Sequence, residues 1–148
     1  MRPYREWEET FEVFGTPYRF RFRGPVEEPA RWEVAILDAQ GIPVVPRRVR
    51  GRTEDEARWR AEGAVHTWAA VRRLHEAASR AAARAAPGAE VVLNERAEEL
   101  EVELTGPWRL RVPFLASRDE VTDPDRTEEE WEVRLAAHFL QHGVRVPG

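Results

Sequence analysis

The chain has 148 residues, of which 42% are hydrophobic and 34% charged, and its formal net charge is -4. This length suits one domain with a sizeable core, and the sequence has neither an apolar run long enough to cross a membrane nor an apolar leader after its first charges. Because it contains no cysteine, disulfides, thiol nucleophiles and thiolate metal sites are excluded, and we expect a cytoplasmic protein.

The basic residues are unusually uniform, because all 23 of them are arginine and none is lysine. Asn94 is the only asparagine, and Met1 is the only methionine. Few thermolabile side chains and many ion-pairing ones are typical of proteins from hot environments. Arginine, alanine, glycine and proline are also favoured together by GC-rich codons. We therefore expect the source to be a thermophile with a GC-rich genome.

The first predicted element is a β-hairpin near the start of the chain. Phe11 and Val13 alternate with acidic residues, residues 15–17 (Gly-Thr-Pro) make a turn, and residues 18–23 alternate aromatic side chains with arginine. This period of two is typical of half-buried strands. It predicts aromatic side chains on one face of the hairpin and arginines on the other.

Two further hairpins are predicted from the same alternation. One runs from Trp32 to Val45 and turns at residues 38–41, and its returning strand should be short or at an edge because prolines lack an N–H donor. The other turns at residues 105–107 (Thr-Gly-Pro). It pairs apolar positions of residues 100–104 with those of residues 108–114.

Two helices complete the pattern. The first begins after Thr53, which forms a capping box with Glu56, and runs to about Ala86, before a Pro-Gly pair. The second begins after Thr127 and ends near Gly143, and the polar segment 116–126 between strand and helix is predicted to be a loop. Together the elements predict a single α+β domain over residues 1–148. It would have an antiparallel sheet of about six strands in three hairpins, with the long helix and the C-terminal helix on one face.

The long helix has two faces that could make contacts. Small and apolar residues form one stripe at alternating steps of four and three: Ala57, Ala61, Ala64, Trp68, Val71, His75, Ala78, Ala82 and Ala85. Trp59, Gly63, His66, Ala70 and Ala77 lie roughly opposite this stripe. Glycine weakens a helix interior by about 1 kcal/mol relative to alanine, so Gly63 indicates a close approach by another surface. We therefore expect a binding protein that forms a homodimer, with Trp59, Gly63 and His66 in the contact.

An arginine cluster supports an alternative function. Residues 19–52 contain eight arginines and four acidic residues within a chain that is acidic overall. Arginine beside aromatic side chains can hold phosphates and stack on bases, which would make the protein a nucleic-acid-associated regulator using Arg19, Arg21, Arg47 and Arg48. The other interpretation is that the strand arginines pair across the sheet with Glu8, Glu12 or Glu33.

The junction between this cluster and the long helix resembles known nucleic-acid-associated domains. Residues 51–57 (Gly-Arg-Thr-Glu-Asp-Glu-Ala), followed by Ala61, Ala64 and Trp68, resemble a strand-to-helix junction of HicB-like antitoxin domains and the end of double-stranded-RNA-binding domains. The resemblance implies an antitoxin-like regulator. However, acids 54–56 replace the basic helix start of the RNA-binding domains, and no DNA-reading motif follows Phe114, so the resemblance assigns no family.

The remaining candidate chemistry is a histidine pair. His138 and His142 lie one helical turn apart, a spacing that can grip a metal ion. Phe139 occupies the position at which the catalytic version of the motif has glutamate, and the sequence indicates no third metal ligand. A histidine at the C-terminus of a helix, such as His142, is also favoured by the helix dipole alone. We predict no cofactor and favour binding over catalysis, with the histidines as the weakest site.

Overall fold

The computed structural model describes residues 3–26 and 31–147. Within these residues the chain forms nine strands and three helices. In chain order they are β1 (Arg5–Val13), β2 (Thr16–Val26), β3 (Arg31–Leu37), β4 (Val49–Gly51), α1 (Glu54–Ala85), β5 (Glu90–Glu95), β6 (Glu99–Thr105), β7 (Trp108–Leu110), β8 (Phe114–Ser117), α2 (Arg118–Thr122), α3 (Glu128–His142) and β9 (Gly143–Arg145).

All strand pairs are antiparallel, which confirms the α+β class. The strands form a four-stranded sheet in the order β1-β2-β3-β4, a three-stranded sheet in the order β5-β6-β8, and a pair of β7 with β9. The described residues therefore contain nine strands in three sheets, where the sequence indicated about six in one sheet. The chain divides into two compact units, residues 1–69 and 70–148, and the boundary falls within α1.

The core of the first unit lies between the four-stranded sheet and residues 54–69 of α1. The predicted first hairpin is confirmed, with Val13 opposite Thr16 across the turn. The alternation along β2 buries its aromatic side chains and exposes Arg19 and Arg21. The buried cluster contains Val13, Tyr18, Phe20, Phe22, Trp32, Val34, Ile36, Ala57, Ala61, Val65 and Ala69.

The second hairpin is confirmed for its first strand and its turn, whereas its returning strand lies at residues 49–51 and not within residues 42–45. After β3 the chain makes an isolated bridge between Leu37 and Pro43, and only residues 49–51 return as the edge strand β4. Gly51 then brings the chain directly onto α1, because a Cβ at this position would lie 2.4 Å from the backbone nitrogen of Ala57. A side chain at residue 51 would therefore push strand and helix apart.

Both predicted long helices are confirmed by their caps. The Thr53 hydroxyl accepts a hydrogen bond from the Glu56 backbone N–H at 3.1 Å, and the Thr127 hydroxyl accepts one from Glu130 at 3.1 Å. These bonds satisfy N–H groups that have no partner within the helix. The acids in each first turn also favour the positive end of the helix dipole.

The third predicted hairpin is confirmed for Phe114, which pairs with β6, and is wrong for Trp108 and Leu110. β6 pairs with β5 on one side and with β8 on the other, and Val102 lies opposite Phe114. Because both edges of β6 are occupied, the short strand β7 pairs instead with β9, and Trp108 lies opposite Arg145. Residues 105–107 still reverse the chain, with Gly106 at a φ of 97°.

The predicted loop over residues 116–126 is also corrected. Residues 116 and 117 belong to β8, and residues 118–122 form the short helix α2. Ser117 caps this helix, since its hydroxyl accepts a hydrogen bond from the Glu120 backbone N–H at 3.1 Å. A polar residue that appears to mark a loop is therefore a helix cap.

Residues 70–85 of α1 are more buried than the sequence indicated. Ala70 and Ala77, assigned to the opposite face, are buried, whereas His75 in the first stripe is exposed. In this unit Trp131, Leu135 and Phe139 of α3 are also fully buried. Arginines 80 and 84 of α1 bind Glu132 of α3 at 2.6 and 3.1 Å. Small alanine side chains allow close packing on more than one side, so this half of α1 offers no second free face.

Candidate functional site

The arginines of β2 form part of an exposed charged face on the first unit. Arg21 binds Glu8 of β1 at 2.9 Å, and Arg23 binds Glu33 of β3 at 2.6 Å. The cross-strand pairing proposed from the sequence is thus present for these two arginines. Exposed pairs such as Arg21–Glu8 contribute little to stability, so a ligand can displace them at low cost.

Glu33 is the centre of this face. Its side chain is only 4% exposed, yet its carboxylate lies within 4 Å of three guanidinium groups: Arg23 at 2.6 Å, Arg50 at 3.4 Å and Arg48 at 3.8 Å. The hydrogen bond from Arg23 to Glu33 raises the pKa of that guanidinium further above its usual value. One buried negative charge therefore holds three arginines together and leaves an excess of positive charge at the surface.

Arg48, one of these three arginines, also lines a cleft of about 240 Å³, which we call the Arg48 cleft. Three arginines line it, and its described lining contains no acidic residue. The remaining lining is mainly apolar. The lining residues are Arg21, Ala35, Ile36, Leu37, Gly41, Pro43, Val45, Pro46, Arg47 and Arg48.

A second cleft, of about 220 Å³, lies at the junction of β4 with α1, and we call it the Arg52 cleft. Its described lining is Arg31, Arg50, Gly51, Arg52, Glu56 and Arg60. Arg60 is held there by Glu56 at 2.9 Å and by donating to the backbone carbonyl of Arg50 at 3.1 Å. Four arginines thus converge on a site with one carboxylate among its described residues.

The structure brings together most of the arginines that the sequence nominated. Arg21, Arg47 and Arg48 line one cleft, whereas Arg19 lies further along β2, opposite Thr10 and Leu37, and does not line it. Arg50 and Arg52, which line the Arg52 cleft, were not predicted as site residues. Their spacing of two residues, which is typical of one face of a strand, could have indicated them. Two of the acids counted in this region, at positions 27 and 28, lie outside the described residues.

The predicted contact face on α1 is exposed at Trp59, whose side chain is 73% accessible. A Cβ at Gly63 would meet nothing within 4 Å, so no described part of this chain approaches it closely. His66 instead packs on the chain itself, with its ring centroid 5.1 Å from that of Phe14. Trp59 and Gly63 are therefore open to contact, and His66 is part of the local packing.

The predicted histidine pair is brought together, but one ring is already engaged. The ring centroids of His138 and His142 are 4.5 Å apart. His138 Nε2 lies 2.7 Å from the backbone carbonyl oxygen of Val112, and its ring contacts Phe114 edge-on. No group of three His, Cys, Asp or Glu side chains suited to a metal ion occurs within residues 3–26 and 31–147. The geometry supports a packing role for His138.

Sequence reasoning missed an apolar stripe on the outer side of α3. Val133 is 65% exposed, Leu140 is 71% exposed, and Ala137 between them is also exposed. At 100° per residue these three positions lie opposite the buried side of α3. Their spacing of four and three residues was visible in the sequence. It was overlooked because the helix was interpreted only from its buried side.

Two carboxyl groups on β6 form a coupled pair. A hydrogen bond joins Glu101 and Glu103, and it lowers the pKa of Glu101 while raising the pKa of Glu103. Arg96 also binds Glu101 at 2.9 Å. Glu103 lines a cleft of about 490 Å³ together with Trp108. Ionisation of one carboxyl group therefore disfavours ionisation of the other, and nothing else among the described residues of this cleft points to a reaction.

These surfaces lie on an α+β fold built from antiparallel sheets. Comparison with protein-family models, curated proteins and solved structures gives no match. In the part of the chain that the structure describes, no helix has both the length and the apolar composition needed to cross a membrane. The case for function therefore rests on the chemistry of the surfaces themselves.

Proposed function

We propose that this protein works by binding protein surfaces, and that its first partner is a second copy of itself bound through the outer side of α3. The observation that carries the proposal is the exposed stripe of Val133, Ala137 and Leu140. Surface helices normally present polar residues to water. A continuous apolar stripe opposite the buried side is typical of a contact surface.

The stripe is suited to pairing with itself. α3 has 15 residues and is therefore about 22 Å long, and Ala137 lies near its middle. A twofold axis at Ala137 would bring the two helices close together, because alanine is small. In an antiparallel pair, Val133 of each copy would then lie beside Leu140 of the other. Such a self-complementary contact closes as a dimer.

Charge favours the antiparallel arrangement. On the exposed side of its first turn α3 carries Glu129 and Glu130, and a parallel pair would place these carboxylates near their own copies. The antiparallel pair instead places them near the other copy's β9, which carries the exposed Arg145. It also opposes the two helix dipoles. Electrostatic complementarity therefore selects one orientation.

Sedimentation equilibrium over a range of protein concentrations tests this proposal. We expect a species of twice the 17.1 kDa chain mass. Leu140→Glu would place a charge in the apolar contact and raise the dimer Kd at least tenfold, which corresponds to about 1.4 kcal/mol. Because Leu140 is exposed, this variant should remain folded. A wild-type protein that stays at the chain mass at every concentration would contradict the proposal.

Trp59 provides the matched control and defines a second candidate surface. Its 73% exposure beside the open Gly63 favours a contact at residues 59–63, and tryptophan is often a principal anchor of an interface. We expect Trp59→Ser to leave the α3 dimer intact. If Trp59→Ser dissociates the dimer and Leu140→Glu does not, the contact lies on α1 and the assignment to α3 is wrong.

A further inference from the structure

The arginine face of the first unit is not used by the proposed self-association. We infer that the Arg48 cleft and the Arg52 cleft together form a track that binds the phosphodiester backbone of a single-stranded nucleic acid. The ligand chemistry is a flexible chain of phosphates, each held by guanidinium groups in the two clefts.

Glu33 links the arginines of the two clefts. Arg48 lines one cleft and Arg50 lines the other, and both guanidinium groups lie within 4 Å of the Glu33 carboxylate, at 3.8 and 3.4 Å. Glu33 therefore acts as a buried anchor between them. A site extended in this way suits a ligand with several phosphates better than it suits one isolated anion.

Four arginines of the two clefts are available to a ligand. Arg47 and Arg52 are exposed and form no ion pair with any described residue. Arg48 and Arg50 share the single carboxylate of Glu33 with Arg23, so their charges are only partly neutralised. Arginine binds phosphate through two parallel hydrogen bonds and keeps its charge at any physiological pH. Four guanidinium groups can therefore engage phosphates without unfolding the sheet.

The two clefts suit a flexible single strand better than a duplex. The clefts are small, at about 240 and 220 Å³. Because a single strand is flexible, its successive phosphates can enter both of them. A rigid duplex holds its phosphates on a cylinder and would touch only the rims. The Arg48 cleft has an apolar lining that includes Leu37 and Val45 but no aromatic ring among its described residues. Bases would therefore stack weakly there, and we expect little sequence preference.

Fluorescence anisotropy with a labelled oligo-dT strand of about 20 nucleotides tests this inference, since that length exceeds the site sizes of small single-strand-binding domains. Each phosphate neutralised on a single strand contributes about -0.7 to the slope of log K against log salt. Four contacts therefore predict a slope of about -3 between about 50 and 200 mM salt. No binding at the lowest salt concentration would overturn the inference.

Matched variants locate the site. Arg47→Ser with Arg48→Ser should weaken binding and bring the slope about 1.4 closer to zero, and Arg52→Ser alone should change it by about 0.7. The control is Arg109→Ser with Arg111→Ser, which removes the same charge from two exposed arginines of the second unit. Its affinity should stay within about twofold of wild type. Equal weakening by both double variants would show that only net charge matters and would overturn the site.

Four competitors define the ligand class. Unlabelled mixed-sequence DNA should compete as well as oligo-dT, whereas a DNA duplex, inorganic pyrophosphate and poly-glutamate should compete poorly. If pyrophosphate binds as tightly as the strand, the clefts bind small phosphate compounds, and the inference that they form one track for a strand is wrong. If poly-glutamate or the duplex binds more tightly, the ligand is an acidic polypeptide or a double helix. Leu140→Glu separates this inference from the proposed self-association. If this variant is monomeric but still binds the strand with wild-type affinity per chain, strand binding does not depend on the dimer.

Discussion

Glu33→Gln perturbs the centre of the arginine face with almost no change in side-chain shape. Arg23 makes the shortest contacts with the carboxylate, at 2.6 and 2.7 Å, whereas nitrogens of Arg50 and Arg48 lie at 3.4 and 3.8 Å. A hydrogen bond to a charged group contributes about 1.5–3 kcal/mol net. Because the Arg23 side chain is 37% exposed and glutamine keeps one acceptor oxygen, we expect a loss of about 1–2 kcal/mol in the free energy of unfolding.

The same substitution should strengthen strand binding. A unit negative charge about 8 Å from a phosphate costs about 0.5 kcal/mol in water, so its removal should raise affinity about twofold. Urea unfolding at pH 7 measures the first effect and oligonucleotide anisotropy the second. Glu8→Gln is the control, since its exposed pair with Arg21 contributes less than about 1 kcal/mol. If Glu33→Gln costs no more stability than Glu8→Gln, the assignment of Glu33 as a buried anchor is refuted.

Two further predictions concern the first unit. Gly51→Ala should lower the free energy of unfolding by about 1–3 kcal/mol in urea titrations, because the new Cβ would overlap the backbone of Ala57. Gly63→Ala meets open space and should raise it by about 0.5–1 kcal/mol. Similar effects of both substitutions would contradict the close contact at Gly51. Arg58 lowers the pKa of Glu9 by donating hydrogen bonds to it. This pair therefore stabilises the protein above the ordinary pKa of glutamate, and the contribution is lost as the pH falls through the lowered value. Between about pH 5 and 3, wild type should lose more stability in urea titrations than Glu9→Gln does, and parallel curves would count against the pair.

The elements that the sequence predicts well are those set by local chemistry. Thr53 and Thr127 mark the starts of α1 and α3 because their hydroxyl groups cap the helices. Gly15 marks the first hairpin because its φ of 79° suits a residue without a side chain. In each case the interacting groups lie within a few residues of one another, so a single segment contains the whole signal.

The elements that were mispredicted depend on contacts between distant segments. β7 follows β6 through a clear turn, yet it pairs with β9 more than thirty residues later, since β5 and β8 occupy both edges of β6. Nothing in the local alternation of residues 108–114 indicates this competition. The burial of Ala77 likewise depends on what packs against α1, which no helical period can specify.

The candidate sites divide in the same way. The arginines of residues 19–52 could be grouped from the sequence, but the register of β2, β3 and β4 decides which of them share Glu33. The stripe of Val133, Ala137 and Leu140 needed no long-range information, since its spacing alone places it on one side of α3. Its exposure, however, depends on how the helix packs, and that is what makes it a candidate contact.

Cysteine cross-linking tests self-association through α3 most directly, because the chain has no cysteine of its own. In the antiparallel pair, residue 137 of each copy lies at the twofold axis, and two cysteines join when their Cα atoms are within about 7 Å. Under mild oxidation, Ala137→Cys should give a covalent dimer on a non-reducing gel, while Gly63→Cys should remain monomeric. A monomeric Ala137→Cys protein under conditions that cross-link Gly63→Cys would contradict the account.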